Sequence, residues 1–105
     1  MKKLLILLLL ITSTAFSFDK AEVRLYMNST CQPCIKLLPH IDPILKDLVG
    51  RNKITLIEVD LFFHQHKELV REDGIRTTPS CVIIKNGKKE KYVGRDIVVA
   101  LLNLN

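Results

Sequence analysis

The chain is 105 residues long and carries 16 Lys and Arg against 11 Asp and Glu, with three cysteines and no tryptophan. That length accommodates one small domain and excludes a second. The net charge of +5 falls to +3 once Lys2 and Lys3 are set aside, because 14 basic residues then face 11 acidic ones. These basic residues are scattered along the chain, which argues against a nucleic-acid partner.

The N-terminal stretch differs from everything after it. Lys2 and Lys3 precede an uninterrupted apolar run from Leu4 to Ile11, followed by the small and polar TSTAFS. This order predicts a secretory signal peptide over residues 1–17. It has a positive start, an apolar run too short to cross a bilayer core of about 30 Å, and small residues at alternate positions before a cut between Phe16 and Phe18. An uncleaved anchor is the competing reading, and the early end of the run at Thr12 speaks against it. One domain is then expected over residues 18–105, periplasmic or secreted.

Within that domain AEVRLYM, residues 21–27, begins as an alternation of polar and apolar residues rich in β-formers, so it predicts a strand ending at Asn28 and Ser29. From Cys31 the spacing becomes helical, with Ile35, Leu38, Ile41, Leu45 and Leu48 as the apolar stripe and Gly50 as the stop. Pro39 is expected to kink this helix, and Asp42 with Pro43 to restart it. KITLIEVDLFF reads as a strand buried on both faces, HQHKELVREDGI as a short helix ended by Gly74, and PSCVIIKNGKKEKYVG as a hairpin turning at Asn86-Gly87. RDIVVALLNLN closes as a helix capped by Asp96. The order β-α-β-α-β-β-α predicts an α/β domain: a mixed four-stranded sheet covered by three helices.

The chemistry concentrates in NSTCQPCIK, residues 28–36. A Cys31–Cys34 bridge closes so short a loop that it removes little entropy from the unfolded chain, so stabilisation explains the pair poorly. At a helix start, unpaired backbone N–H groups favour a thiolate and lower its pKa. Cys31 is therefore the expected nucleophile, and Cys34, one turn on, the thiol that resolves a mixed disulfide. Pro33 restrains the turn between them. Pro79 in RTTPS follows an extended residue, a place for the cis form, and would set the Thr78 backbone against the sulfurs as an edge for a peptide substrate.

These features together resemble the thioredoxin family. The resemblance covers nearly all of the domain and rests on Cys31-Gln32-Pro33-Cys34 after a first strand, Pro39 five residues beyond Cys34, Asp60 at the end of the central strand, GIRTTP with its proline, and KNGKKEKYVG before a final helix. It implies a thioredoxin-like fold and a thiol–disulfide oxidoreductase working without metal or organic cofactor. Cys31 and Cys34 would be the redox pair, Gln32 and Pro33 the motif between them, and Thr78 and Pro79 the lining of the substrate groove. Protein thiols and disulfides would be the substrates, a membrane protein the redox partner, and the chain a monomer.

Three positions depart from the family pattern. Thr30 stands where the family has tryptophan, Gln32 where it has glycine, and Leu25 where it has a buried acid that assists the resolving thiol. Thr78 before the proline is similar to exported isomerases and oxidases. The alternative function from the same two sulfurs is a copper(I) chaperone of thioredoxin-like fold. His40, His64 and His66 lack the spacing of a zinc site and read as exposed residues. Lys36 is either a surface lysine or a support for the thiolate. Cys81, on a strand of Val and Ile, reads as a small buried hydrophobe, with a third redox thiol as the sharper alternative.

Overall fold

The structure is a computed structural model, and it describes residues 20–64 and 66–105. The expected signal peptide over residues 1–17 lies outside the described residues. β1 (Ala21–Met27), α1 (Gln32–Gly50), β2 (Ile54–Asp60), a 3-10 turn (Leu61–Phe63), α2 (Lys67–Glu72), β3 (Ser80–Lys85), β4 (Lys88–Val93) and α3 (Asp96–Leu102) follow one another along the chain. The sheet order is β2-β1-β3-β4, with β1 parallel to β2 and antiparallel to β3, and β3 antiparallel to β4. The mixed four-stranded sheet and three helices are as expected from sequence.

Alternation along β1 divides the interior in two. Ala21, Val23 and Leu25 join Leu37, Ile41, Leu45 and Leu48 of α1 and Ile97 and Leu101 of α3 in one apolar layer. Tyr26 belongs to the opposite layer, with Val59 and Val82 packed beside Leu69, Val70 and Ile75. Burial of these side chains supplies the main driving force, about 1.5–3 kcal/mol for each large one. The β3–β4 turn is made by Asn86 (φ 53°) and Gly87 (φ 76°), the two left-handed residues that match the strand twist in a two-residue hairpin.

Four expectations are corrected. β2 is an edge strand rather than one buried on both faces: Thr55 and Glu58 are exposed, and β1 holds the buried position, with β2 and β3 on either side of it. The buried stripe of α1 is Cys34, Leu37, Ile41, Leu45 and Leu48, while Ile35 and Leu38 face solvent. Ile35 lies about 100° round the helix from Cys34, so burying one exposes the other.

α1 also runs unbroken from Gln32 to Gly50, without a restart at Asp42. Pro39 and Pro43 both lie on its exposed side, where water can satisfy the carbonyls that lose their N–H partners. Finally, Asp96 is the first residue of α3 and Arg95 its cap, with no side-chain capping bond. Asp96 still places negative charge at the positive end of the helix.

Candidate active site

The turn after β1 is locked by local hydrogen bonds. The Asn28 side-chain oxygen accepts from the Thr30 N–H at 3.0 Å and the Thr30 hydroxyl at 2.8 Å, and the Cys31 N–H donates to the Asn28 carbonyl at 3.0 Å. The Ser29 N–H and hydroxyl both donate to Asp60 at the end of β2, and Asp60 also accepts from the Phe62 N–H. These donors, the Ser29 hydroxyl foremost, hold the Asp60 carboxyl below its usual pKa.

The locked turn delivers Cys31 to the cap of α1 in an extended conformation, with its sulfur 3.2 Å from the Cys34 N–H. A helix cap accepts from the second or third N–H of the helix. Pro33 occupies the second position and has no N–H, so the Cys34 N–H is left to point at the Cys31 sulfur. Sequence thus places a donor and the positive end of a helix dipole where a thiolate would form. The two cysteines lie 5.3 Å apart at Cα, and their sulfurs are joined as a disulfide. Their exposure differs: Cys34 is buried, whereas Cys31 is partly open to solvent.

The loop before β3 completes the site. The Thr78–Pro79 peptide bond is cis, and the Thr78 carbonyl oxygen lies 3.5 Å from the Cys31 sulfur. Two bonds hold this loop: the Ser80 hydroxyl donates to the Thr77 carbonyl at 2.6 Å, and the Gly94 N–H to the Pro79 carbonyl at 3.1 Å. Cys31, Gln32, Pro33, Cys34, Thr78 and Pro79 therefore converge from two distant segments. Lys36 and His40 share a groove with Gln32, Pro33 and Pro79. His64 and His66 stand exposed just before α2, outside that groove. Among the described residues no three His, Cys, Asp or Glu side chains gather as a metal site.

Cys81 faces Leu25 across the β1–β3 pair, and both are buried in the layer shared with α1 and α3. Burial pushes the Cys81 thiol up to about 12. It packs as a small hydrophobe, out of reach of a protein substrate.

The buried carboxylate among the described residues is Asp73, on the other face of the sheet. It accepts from the Tyr26 hydroxyl, from Arg24 at 3.0 and 3.1 Å and from Lys89 at 2.8 Å. Burial alone would raise its pKa, but the donors prevail and hold it below the ordinary carboxylate value. Sequence reasoning missed this cluster. The local signal was Glu22 and Arg24 alternating with apolar residues in β1, which places two charges on one face of the strand.

The family model for thioredoxin matches residues 17–103. The chain belongs to the thioredoxin family. A thioredoxin of Rickettsia felis is 35% identical over 85 residues, covering 76% of this chain and 77% of that protein. Among solved structures, the germline-specific thioredoxin Deadhead of Drosophila melanogaster superposes with a TM-score of 0.68 at 16% identity, over 90% of this chain and 88% of that one. Malassezia sympodialis thioredoxin gives a TM-score of 0.65 at 25% identity, over 88% and 81% of the two chains. The likeness to Deadhead concerns the fold alone. Family membership, with a C-x-x-C pair joined as a disulfide at the head of α1, makes the chain a thiol–disulfide oxidoreductase of thioredoxin type.

Proposed function

We propose that this member of the thioredoxin family is an exported enzyme, periplasmic or secreted, that exchanges electrons with protein thiols and disulfides through Cys31 as nucleophile and Cys34 as resolving thiol. The observation that carries the assignment of roles is the asymmetry of the pair. Cys31 is partly exposed and has an N–H donor at its sulfur, whereas Cys34 is buried behind it. In the reductive direction the Cys31 thiolate attacks one sulfur of a substrate disulfide, and the other leaves as a thiolate. Cys34, deprotonated, then attacks the Cys31 sulfur, forming the Cys31–Cys34 disulfide and releasing the second substrate sulfur. Two electrons pass to the substrate, and the reverse sequence oxidises it.

Thr78 and Pro79 line the substrate groove, with Gln32 and Pro33 on its opposite lip. The proximity of the Thr78 carbonyl to the Cys31 sulfur supports this reading, since an extended peptide bound there would bring its own sulfur to Cys31. The working form is a monomer, and a membrane protein restores its redox state. The apolar run from Leu4 to Ile11 behind Lys2 and Lys3 supports export.

The test is expression of the full chain carrying Cys34→Ser in a bacterium with an outer membrane. Disulfide-linked adducts through Cys31 are expected in the periplasmic fraction, with the leader removed. Retention of the protein in the cytoplasm would end the export reading. Absence of adducts, together with tight one-to-one copper(I) binding by the unaltered protein, would instead favour the copper chaperone.

A further inference from the structure

Beside the Cys31–Cys34 pair lies an open groove of about 700 Å³ between the start of α1, Pro79 and the first turn of α3. Its apolar surface comes from Leu37, Val98 and Val99, and its polar side chains are Gln32, Lys36, His40 and Arg95. Among the described residues no carboxylate lines it. Asp96, next to Arg95, lines a neighbouring groove on the other side of α3. Lys36 and His40 are one turn apart on α1 and so share a face.

The cations here are also unengaged. Among the described residues Arg24, Lys46, Arg51 and Lys89 each meet a carboxylate, but Lys36 and Arg95 meet none, and both are exposed. The other flank of the cysteines has the opposite character. There Ser29 is bound to Asp60, which is followed by the exposed, edge-to-face Phe62 and Phe63. An acid-free groove with free cations on one side and an acid with an aromatic pair on the other imposes polarity on anything crossing the site. Opposite charge across such a surface acts chiefly on the rate of productive encounter and on the choice among partners.

Building on the exchange activity proposed above, we infer that this groove selects the substrate. The preferred partner is an extended protein segment whose disulfide-bonded cysteine is flanked by Asp or Glu on the side that enters the groove. Its carboxylates would meet Lys36 and Arg95, and an apolar neighbour would rest on Val98. Exposed ion pairs are individually weak and are screened by salt, so the effect is a bias rather than an absolute filter.

Three disulfide-linked peptides, identical except for Glu, Gln or Lys beside the cysteine and carrying a fluorophore released from quenching on cleavage, test this with the reduced protein. At low ionic strength the Glu peptide is expected to react about five- to tenfold faster than the Lys peptide, a gap that two surface ion pairs can produce. At about 0.5 M salt, where the screening length is a few ångströms, the gap should nearly close. The same ratio should fall towards one in a Lys36→Gln, Arg95→Gln double variant. Equal rates for Glu and Lys peptides at low salt, or a ratio unmoved in the double variant, would overturn the inference while leaving the exchange activity standing. Failure of all three peptides to react above background would overturn the exchange reading itself and the inference with it.

Discussion

The two faces of the sheet are built from alternate residues of the same strand, yet they differ in kind. On the face under α1 and α3, Val23 and Leu25 meet hydrocarbon and the Cys81 thiol. On the face under α2, Arg24 and Tyr26 reach Asp73, which Lys89 completes. Among the described residues the redox helix thus rests on an apolar layer, and the buried carboxylate of Asp73 serves the opposite layer. The position at which the thioredoxin family carries a buried acid beside the resolving thiol is Leu25. The difference teaches that the electrostatics acting on this cysteine pair come from α1 and its cap, whereas the charged cluster acts on stability.

The largest expected effect is on the redox face. Cys31→Ser should reduce protein-disulfide reduction, followed with dithiothreitol as electron source, to the uncatalysed background. Trapping of disulfide-linked substrate by Cys31→Ser through Cys34, rather than by Cys34→Ser through Cys31, would contradict the division of roles between them. Next comes the charged face. Asp73→Ala removes the common acceptor of Tyr26, Arg24 and Lys89, and should cost about 2–4 kcal/mol of stability in urea denaturation. It should leave the redox potential where it is, and a shifted potential would mean that the two faces communicate.

The same residue fixes a pH dependence. Because the folded Asp73 pKa is lowered, its contribution is fully present above the unfolded carboxylate value of about 4. It is lost as pH falls from there through the lower folded-state value. Unfolding free energy should therefore decline at acid pH, and more gently in Asp73→Asn. A smaller change is expected at Cys81. Serine there buries a hydroxyl in an apolar layer and should cost about 1–3 kcal/mol, with redox potential and oligomeric state unaltered. The smallest is Tyr26→Phe, about 1 kcal/mol for the bond to Asp73.

How much of this was legible in the sequence depends on how local the signal is. The limits of β1 and the hairpin at Asn86-Gly87 were read correctly because alternation and turn chemistry lie within a few residues. The stripe of α1 was displaced at its first turn because Ile35 and Leu38 offer a helical spacing nearly as good as Cys34 and Leu37. Only the seating of Cys34 beside Cys31 decides between them. The apolar run in β2 did not reveal that it is an edge strand, since strand order is a property of the whole sheet.

Arg24 and Asp73 are separated by 49 residues and attract no notice until the fold joins them. At the site, the cysteines and the proline stood out by spacing. Arg95 did not, because its place in the groove depends on where α3 packs. The predicted restart at Asp42 failed for a different reason: the proline rules describe a lost hydrogen bond, and on an exposed helix face water can replace it.

The most direct test of the account is an equilibrium titration of the Cys31–Cys34 pair in the purified protein against graded ratios of reduced and oxidised dithiothreitol or glutathione, with free thiols counted by alkylation and mass. The account predicts one reversible two-electron transition at Cys31 and Cys34, with Cys81 unmodified throughout. A potential near −270 mV would mark a reductant and one near −120 mV an oxidant. No reversible transition between a dithiol and a Cys31–Cys34 disulfide would contradict it.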